Sequence, residues 1–261
     1  MKFFSFLFKK KKPVIGLCLG SGGAKGFAHL GALKAFEDLG VSFDVVGGTS
    51  IGSIIGAFYA DGYSVTDING LISSLSIKEM LTGLPINMDM SGIKKNIDRA
   101  IGHKNIEELS KPFVCVATDL DTYDEIVFKN GNVGTACSAS SCFMPYFRPV
   151  IDTEGRRLID GAYVNSIPAD KVKELGADYI ISVDLAKFSS GELKLNPYTG
   201  EAINSSKQGY DYSTLVIAPN LKNFKSTSFS GRYEMYELGY NAVMEKSAEV
   251  LAVFKKPKQK R

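Results

Sequence analysis

The sequence predicts an α/β fold built on a central, mostly parallel sheet. Short β-branched and apolar runs alternate with segments of helical period along most of the chain. Two of the strand-to-helix junctions are glycine-rich turns, one over residues 20–26 and one over 47–53. With 261 residues, 44% of them hydrophobic, the chain is long enough and apolar enough for one large domain with a sizeable core.

Residues 14–19, Val-Ile-Gly-Leu-Cys-Leu, read as the first strand. The turn Gly20-Ser21-Gly22-Gly23-Ala24-Lys25-Gly26 leads into a helix over 27–39. There Phe27, Leu30, Leu33 and Phe36 recur at helical spacing, and Gly40 caps the end. The run 43–46 reads as a short buried strand, and 51–60 as a helix closing at Asp61-Gly62. Helices are expected over 64–75, 77–81 and 93–101, with breaks at Gly83, Pro85 and Gly92. Strands follow over 113–118 and 125–128, then a short helix over 132–138. Residues 150–159 read as a hairpin turning near Glu154-Gly155, and they deliver Asp160-Gly161-Ala162. Next come a helix over 168–175, a strand over 179–184, a long polar loop over 187–213 and a strand over 214–218. One long helix over 231–254 closes the domain, with Tyr236, Tyr240, Val243, Val250 and Phe254 along one stripe.

Gly48-Thr49-Ser50-Ile51-Gly52 carries the pattern G-x-S-x-G between the second strand and its helix. Strand, sharp turn, helix is the setting of a nucleophile elbow, in which the turn pushes the serine hydroxyl out of the sheet. The pattern is short, and an ordinary serine in a glycine-rich turn also fits it. The first glycine turn suits an anion, because backbone N–H groups converge at a helix N-terminus. Three anions come into question: a dinucleotide pyrophosphate, a nucleotide phosphate, or the oxyanion of an acyl-transfer intermediate. The dinucleotide fits poorly, since the pattern from Gly20 reads G-x-G-x-x-Lys and Asp44 opens the second strand instead of ending it. A P-loop would need a following G-K-[ST], which is absent. The oxyanion gains from the neighbouring elbow, because both turns leave a parallel sheet at the same edge.

A serine hydroxyl needs a base within hydrogen-bond reach. The two histidines are His29, about one turn into the first helix, and His103, in a loop. None lies beyond the late strands, where an α/β-hydrolase places its histidine. A Ser-His-Asp triad is therefore weak, and a serine–aspartate dyad remains. Taken alone, Asp160-Gly161 reads as a turn.

At this point the residues resemble the patatin-like phospholipases, over roughly residues 14–185. Three motifs carry the resemblance, in the family's order. The loop Ser21-Gly22-Gly23-Ala24-Lys25-Gly26 resembles the G-x-G-x-[RK]-G oxyanion loop, Gly48 to Gly52 the elbow, and Asp160-Gly161-Ala162 the D-G-[AG] motif. The segment Ala139-Ser-Ser-Cys-Phe-Met-Pro145 also resembles the stretch that precedes that aspartate. The resemblance implies a three-layer α/β/α fold and a Ser50–Asp160 dyad. It also implies an oxyanion hole from the N–H groups of Gly22, Gly23 and Ala24, supported by Lys25, Gly26, Gly48, Gly52 and Gly161. Ser21 departs from the family's glycine and is accommodated if its φ is negative. Lys25 stands where many relatives have arginine, without the guanidinium fork.

The implied activity is hydrolysis of carboxylic esters of phospholipids, lysophospholipids or related lipids through an acyl-enzyme, with no cofactor and no metal. A catalytically silent lipid- or acyl-binding regulator on the same fold is the alternative, and a nucleotide-binding domain a third. Cys18, Cys115, Cys137 and Cys142 form no C-x-x-C and read as reduced thiols of a cytoplasmic protein. Residues 1–13 and 255–261 form basic tails around a single domain over 14–254. Without their ten basic residues, 21 basic residues stand against 28 acidic ones, about −7 for the body. Such a body does not suit nucleic acid. The tails read either as solvated, disordered ends or as peripheral contacts with an anionic membrane at its inner face.

Overall fold

The computed structural model describes residues 12–74, 88–188 and 206–259. In chain order the first half holds β1 (Ile15–Leu19), α1 (Phe27–Asp38), β2 (Val45–Gly48), α2 (Ile51–Ala60), α3 (Val65–Ser74) and α4 (Ser91–Ile101). The second half begins with β3 (Phe113–Asp119), β4 (Glu125–Phe128), α5 (Val133–Ser140), β5 (Val150–Ile151) and β6 (Arg157–Asp160). It ends with α6 (Ala169–Glu174), β7 (Tyr179–Val183), α7 (Lys207–Tyr212), β8 (Leu215–Ile217), α8 (Arg232–Glu245) and α9 (Ser247–Phe254).

The sheet runs in the order β5-β6-β3-β2-β1-β7-β8, with β4 paired to the free side of β3. β3, β2, β1, β7 and β8 are mutually parallel, and β4, β5 and β6 add antiparallel pairs at one side. Side chains alternate across each strand, which sorts the core into two layers. Leu17, Leu19 and Val46 join the large core with residues of α1, α2, α3, α5, α8 and α9. Cys18, Val45 and Val114 point the other way, onto α6 and Ile180. The result is the three-layer α/β/α arrangement.

Three expectations need correction. Gly92 does not break a helix; it lies in the first turn of α4, which Ile97 and Ile101 anchor in the core. The polar stretch 187–213 contains α7, held where Gly209 packs on Ile167 and Tyr210 donates to the buried Asp184 carboxylate. The final helix is two, because the chain turns at Lys246 (φ −105°, ψ 18°). Its buried stripe runs through Met235, Gly239, Val243, Val250 and Val253, while Tyr236, Tyr240 and Phe254 are half-buried. The helix expected over 77–81 lies outside the described residues.

Candidate active site

β3 works as the ruler of the site. β4 occupies one side of it, pairing with residues 115–118. On the other side β2 and β6 lie end to end, β2 against residues 113–115 and β6 against 117–119. Gly48 is level with Cys115 and Asp160 with Ala117, so one residue of β3, Val116, separates the two strand ends. β2 runs up to this gap and turns at the elbow; the antiparallel β6 arrives from the opposite direction. Two residues 110 apart in sequence are thereby brought face to face.

Ser50 Oγ donates to Asp160 Oδ2 at 2.6 Å. Both residues are buried. Ser50 adopts φ 56°, ψ −128°, a strained conformation for a residue with a side chain and the one expected at an elbow. Three bonds hold it there. Its N–H donates to Ser140 Oγ at 2.9 Å, its carbonyl accepts from Ser53 Oγ at 2.6 Å, and its neighbour Thr49 donates from Oγ1 to Asn165 O at 2.8 Å. The turn is tight enough that a Cβ on Gly48 would meet Gly52 O at 2.3 Å.

Asp160 is fixed on both its backbone and its carboxylate. Its N–H donates to Cys142 O, and Thr118 Oγ1 donates to its carbonyl at 2.9 Å. Oδ1 accepts the Ala162 N–H at 2.8 Å, which leaves Oδ2 for Ser50. Gly161 passes directly over β3; a Cβ there would lie 2.2 Å from Val116 O. Beside the dyad, Tyr163 stacks on Phe143 with ring centroids 6.0 Å apart. Burial and the adjacent Asp160 carboxylate push the Tyr163 hydroxyl up to about 12, so it stays neutral near pH 7.

The glycine loop leaves β1 beside the elbow, since Leu19 pairs with Gly48. Thr49 N donates to Leu19 O, and Gly26 packs on Ile51. Ser21 is absent from the positive-φ residues, as its side chain requires, and it adds a tie that glycine lacks. Its Oγ lies 2.5 Å from Ser166 Oγ, and its N–H donates to Ser166 O. The Ala24 N–H donates to Ser226 O at 2.7 Å, so that group already has an acceptor. Among the described residues, the N–H groups of Gly22 and Gly23 make no such bond. Lys25 is buried near Asp184; burial lowers its pKa from the ordinary lysine value, and the carboxylate opposes this.

His29 is wholly buried, and its Nε2 donates to Gly20 O at 2.7 Å, at the root of the glycine loop. Burial pushes its pKa down to about 4, so the ring is neutral near pH 7. His103 is exposed, with Nδ1 4.0 Å from Asp98. Neither bonds to the dyad. Sequence reasoning missed Ser140, Thr118, Asn165 and Ser166, although Ser140 lies in the segment that resembles the family. All four cysteines are free and buried. Among the described residues no group of His, Cys, Asp or Glu is placed to hold a metal ion.

A patatin-like phospholipase family model matches residues 17–173, a span holding the glycine loop, the elbow and Asp160. The chain belongs to the patatin-like phospholipase family. Human patatin-like phospholipase domain-containing protein 6 is 37% identical over 201 residues, covering 70% of this chain and 14% of that protein. Lysophospholipase nte1 of Aspergillus fumigatus is 34% identical over 180 residues, 66% of this chain and 12% of that protein. This patatin-like chain thus spans about a seventh or less of the length of these relatives. Among solved structures, VipD from Legionella pneumophila superposes with a TM-score of 0.65 at 14% identity, over 92% of this chain and 67% of that one. Human GIVD cytosolic phospholipase A2 gives 0.50 at 13% identity, over 93% and 59%. At these identities the superpositions speak for the fold.

Proposed function

We propose that this chain is a serine acyl hydrolase of lipid carboxylic esters that works through a Ser50–Asp160 dyad. The 2.6 Å hydrogen bond between the two side chains carries the reading. Ser50 Oγ attacks the ester carbonyl carbon and passes its proton to Asp160 Oδ2. The carbonyl oxygen takes the negative charge and is held by the N–H groups of Gly22 and Gly23. Collapse of this intermediate expels the alcohol, which takes the proton back from Asp160 and leaves an ester on Ser50. Water then attacks the acyl group with Asp160 as base; the acid departs and the proton returns to Ser50 Oγ.

The relatives named as phospholipases and lysophospholipases support phospholipid or lysophospholipid esters as the substrate class. A panel of phospholipids, lysophospholipids and p-nitrophenyl esters tests the proposal, with Ser50→Ala as the blank. Release of free fatty acid above that blank is the expected result. Rates equal to the blank on every ester would leave only a lipid-binding role for the fold.

A further inference from the structure

His29 is a buried titratable residue for which the dyad has no use. It lies in the first turn of α1, wholly inside the protein. A neutral imidazole carries one N–H, and with Gly20 O at 2.7 Å that N–H is on Nε2. Nδ1 is then a lone acceptor, buried and without a hydrogen-bond partner among the described residues. An apolar side chain of the same size would avoid that penalty. What histidine contributes instead is the bond to Gly20.

The bond acts on the peptide plane that opens the glycine loop. The Gly20–Ser21 peptide unit is rigid, so its oxygen and its N–H turn together. The oxygen accepts from His29, and the Ser21 N–H on the other edge donates to Ser166 O at 3.0 Å. The Gly20 N–H adds a bond to Val183 O at the end of β7. In the Gly22–Gly23 unit only the oxygen is held, by the Lys25 N–H at 3.2 Å, and the Ala24 N–H is tied to Ser226 O. The open N–H groups of Gly22 and Gly23 thus lie between two anchored ends of the loop.

Gly20 O also packs against the elbow, because a Cβ on Gly52, in the first turn of α2, would lie 2.6 Å from it. The helix that carries His29 is itself clamped. α8 presses on α1 with no room for a Cβ on Gly31 against Tyr236 O, or on Gly239 against Ala28 O.

We propose that His29 is a positioning residue of the acyl-transfer reaction: by pinning the Gly20 carbonyl it sets the Gly22 and Gly23 N–H groups relative to Ser50 Oγ. It touches neither the ester nor the reacting atoms, and its role rests on the hydrolase reading.

The test measures p-nitrophenyl butyrate turnover by the wild type, Ser50→Ala, His29→Leu, His29→Gln and His29→Asn, each checked for folding by circular dichroism. The Gln amide nitrogen stands where Nε2 does; the shorter Asn amide stands at Nδ1, out of reach of Gly20 O. His29→Leu should lose ~100-fold in kcat with KM within about twofold, because the hole is used in the transition state and not in binding. His29→Gln should recover to within about tenfold of the wild type, and His29→Asn should stay with His29→Leu. A trifluoromethyl ketone gives an independent readout. Ser50 Oγ adds to its carbonyl carbon, the proton passes to Asp160, and the charge stays on the oxygen in the hole. Its affinity should fall ~100-fold in His29→Leu, while the matching secondary alcohol, which cannot be attacked, binds within about twofold of the wild type. A wild-type kcat in His29→Leu, a Gln variant no better than Asn, or an alcohol weakened as much as the ketone would overturn the role. If His29→Leu does not fold, the comparison of Gln with Asn decides alone. A wild type no faster than Ser50→Ala would remove the hydrolase reading and the role of His29 with it, whereas an active wild type with equally active His29 variants would remove that role alone.

Discussion

Ser140→Ala is expected to lower both stability and rate, whereas Ser138→Ala and Ser141→Ala should do neither. Ser140 Oγ accepts the Ser50 N–H at 2.9 Å inside the protein. Removing the acceptor leaves a buried donor unpaired, at about 1–3 kcal/mol. The bond also holds Ser50 at φ 56°, a conformation of the kind that costs on the order of 1–3 kcal/mol and persists only under constraint. At ~2–4 °C per kcal/mol for a domain of this size, melting should fall by roughly 2–12 °C. Relaxation of Ser50 would lengthen its 2.6 Å bond to Asp160, and a misplacement near 1 Å is worth ~100-fold in kcat. The hydroxyls of Ser138 and Ser141 are buried with no hydrogen-bond partner among the described residues. Deleting an unpaired hydroxyl should change stability by less than ~0.5 kcal/mol, or improve it. Thermal melts and ester turnover of the three single variants make the comparison. A Ser140→Ala protein as stable and active as the wild type, or an equal loss in Ser141→Ala, would refute the reasoning.

Two other outcomes follow from the same geometry. His29 has a folded pKa of about 4 against an ordinary 6.5, so the unfolded chain takes up a proton that the folded one refuses. The stability it contributes is complete above about pH 6.5 and is lost as pH falls towards 4, by about 3 kcal/mol in all. Urea unfolding between pH 7.5 and 4.5 should show this slope in the wild type and a shallower one in His29→Gln; identical slopes would rule it out. Gly161→Ala drives a Cβ to 2.2 Å from Val116 O and must displace Asp160, so kcat should drop by ~100-fold in a protein whose circular dichroism is unchanged. A normal rate would mean that Asp160 need not sit where β6 puts it.

Much of the fold was legible in the sequence because the core strands are short β-branched runs and the key turns are glycine-rich. The helix over 51–60 and the strand over 125–128 match residue for residue. What stayed hidden depends on distant contacts. The break at Lys246 has no glycine or proline to announce it, and α7 forms in a polar stretch because Tyr210 reaches Asp184. Ser50 could be read locally, from the elbow's own residues. Asp160 could not, since its partner arrives through the pairing of β6 with β3, and only the family resemblance pointed to it. The loop's division of labour was equally non-local: Ala24 looked like an oxyanion donor, but its N–H goes to Ser226, some 200 residues on. The tail over 255–261 reads as either a solvated end or a membrane contact; of its described residues, 255–257 and 259 are exposed, and Lys256 and Pro257 lie against Tyr179, a contact the sequence does not announce.

The central claim is that Ser50 and Asp160 act as one unit, and a mutant cycle tests it most directly. Turnover of p-nitrophenyl butyrate is measured for the wild type, Ser50→Ala, Asp160→Asn and the double variant. The hydrogen bond between the two side chains predicts that both single variants and the double fall to the same residual rate, because either loss disables the pair. An Asp160→Asn enzyme that keeps the wild-type rate, or two losses that multiply in the double variant, would contradict it.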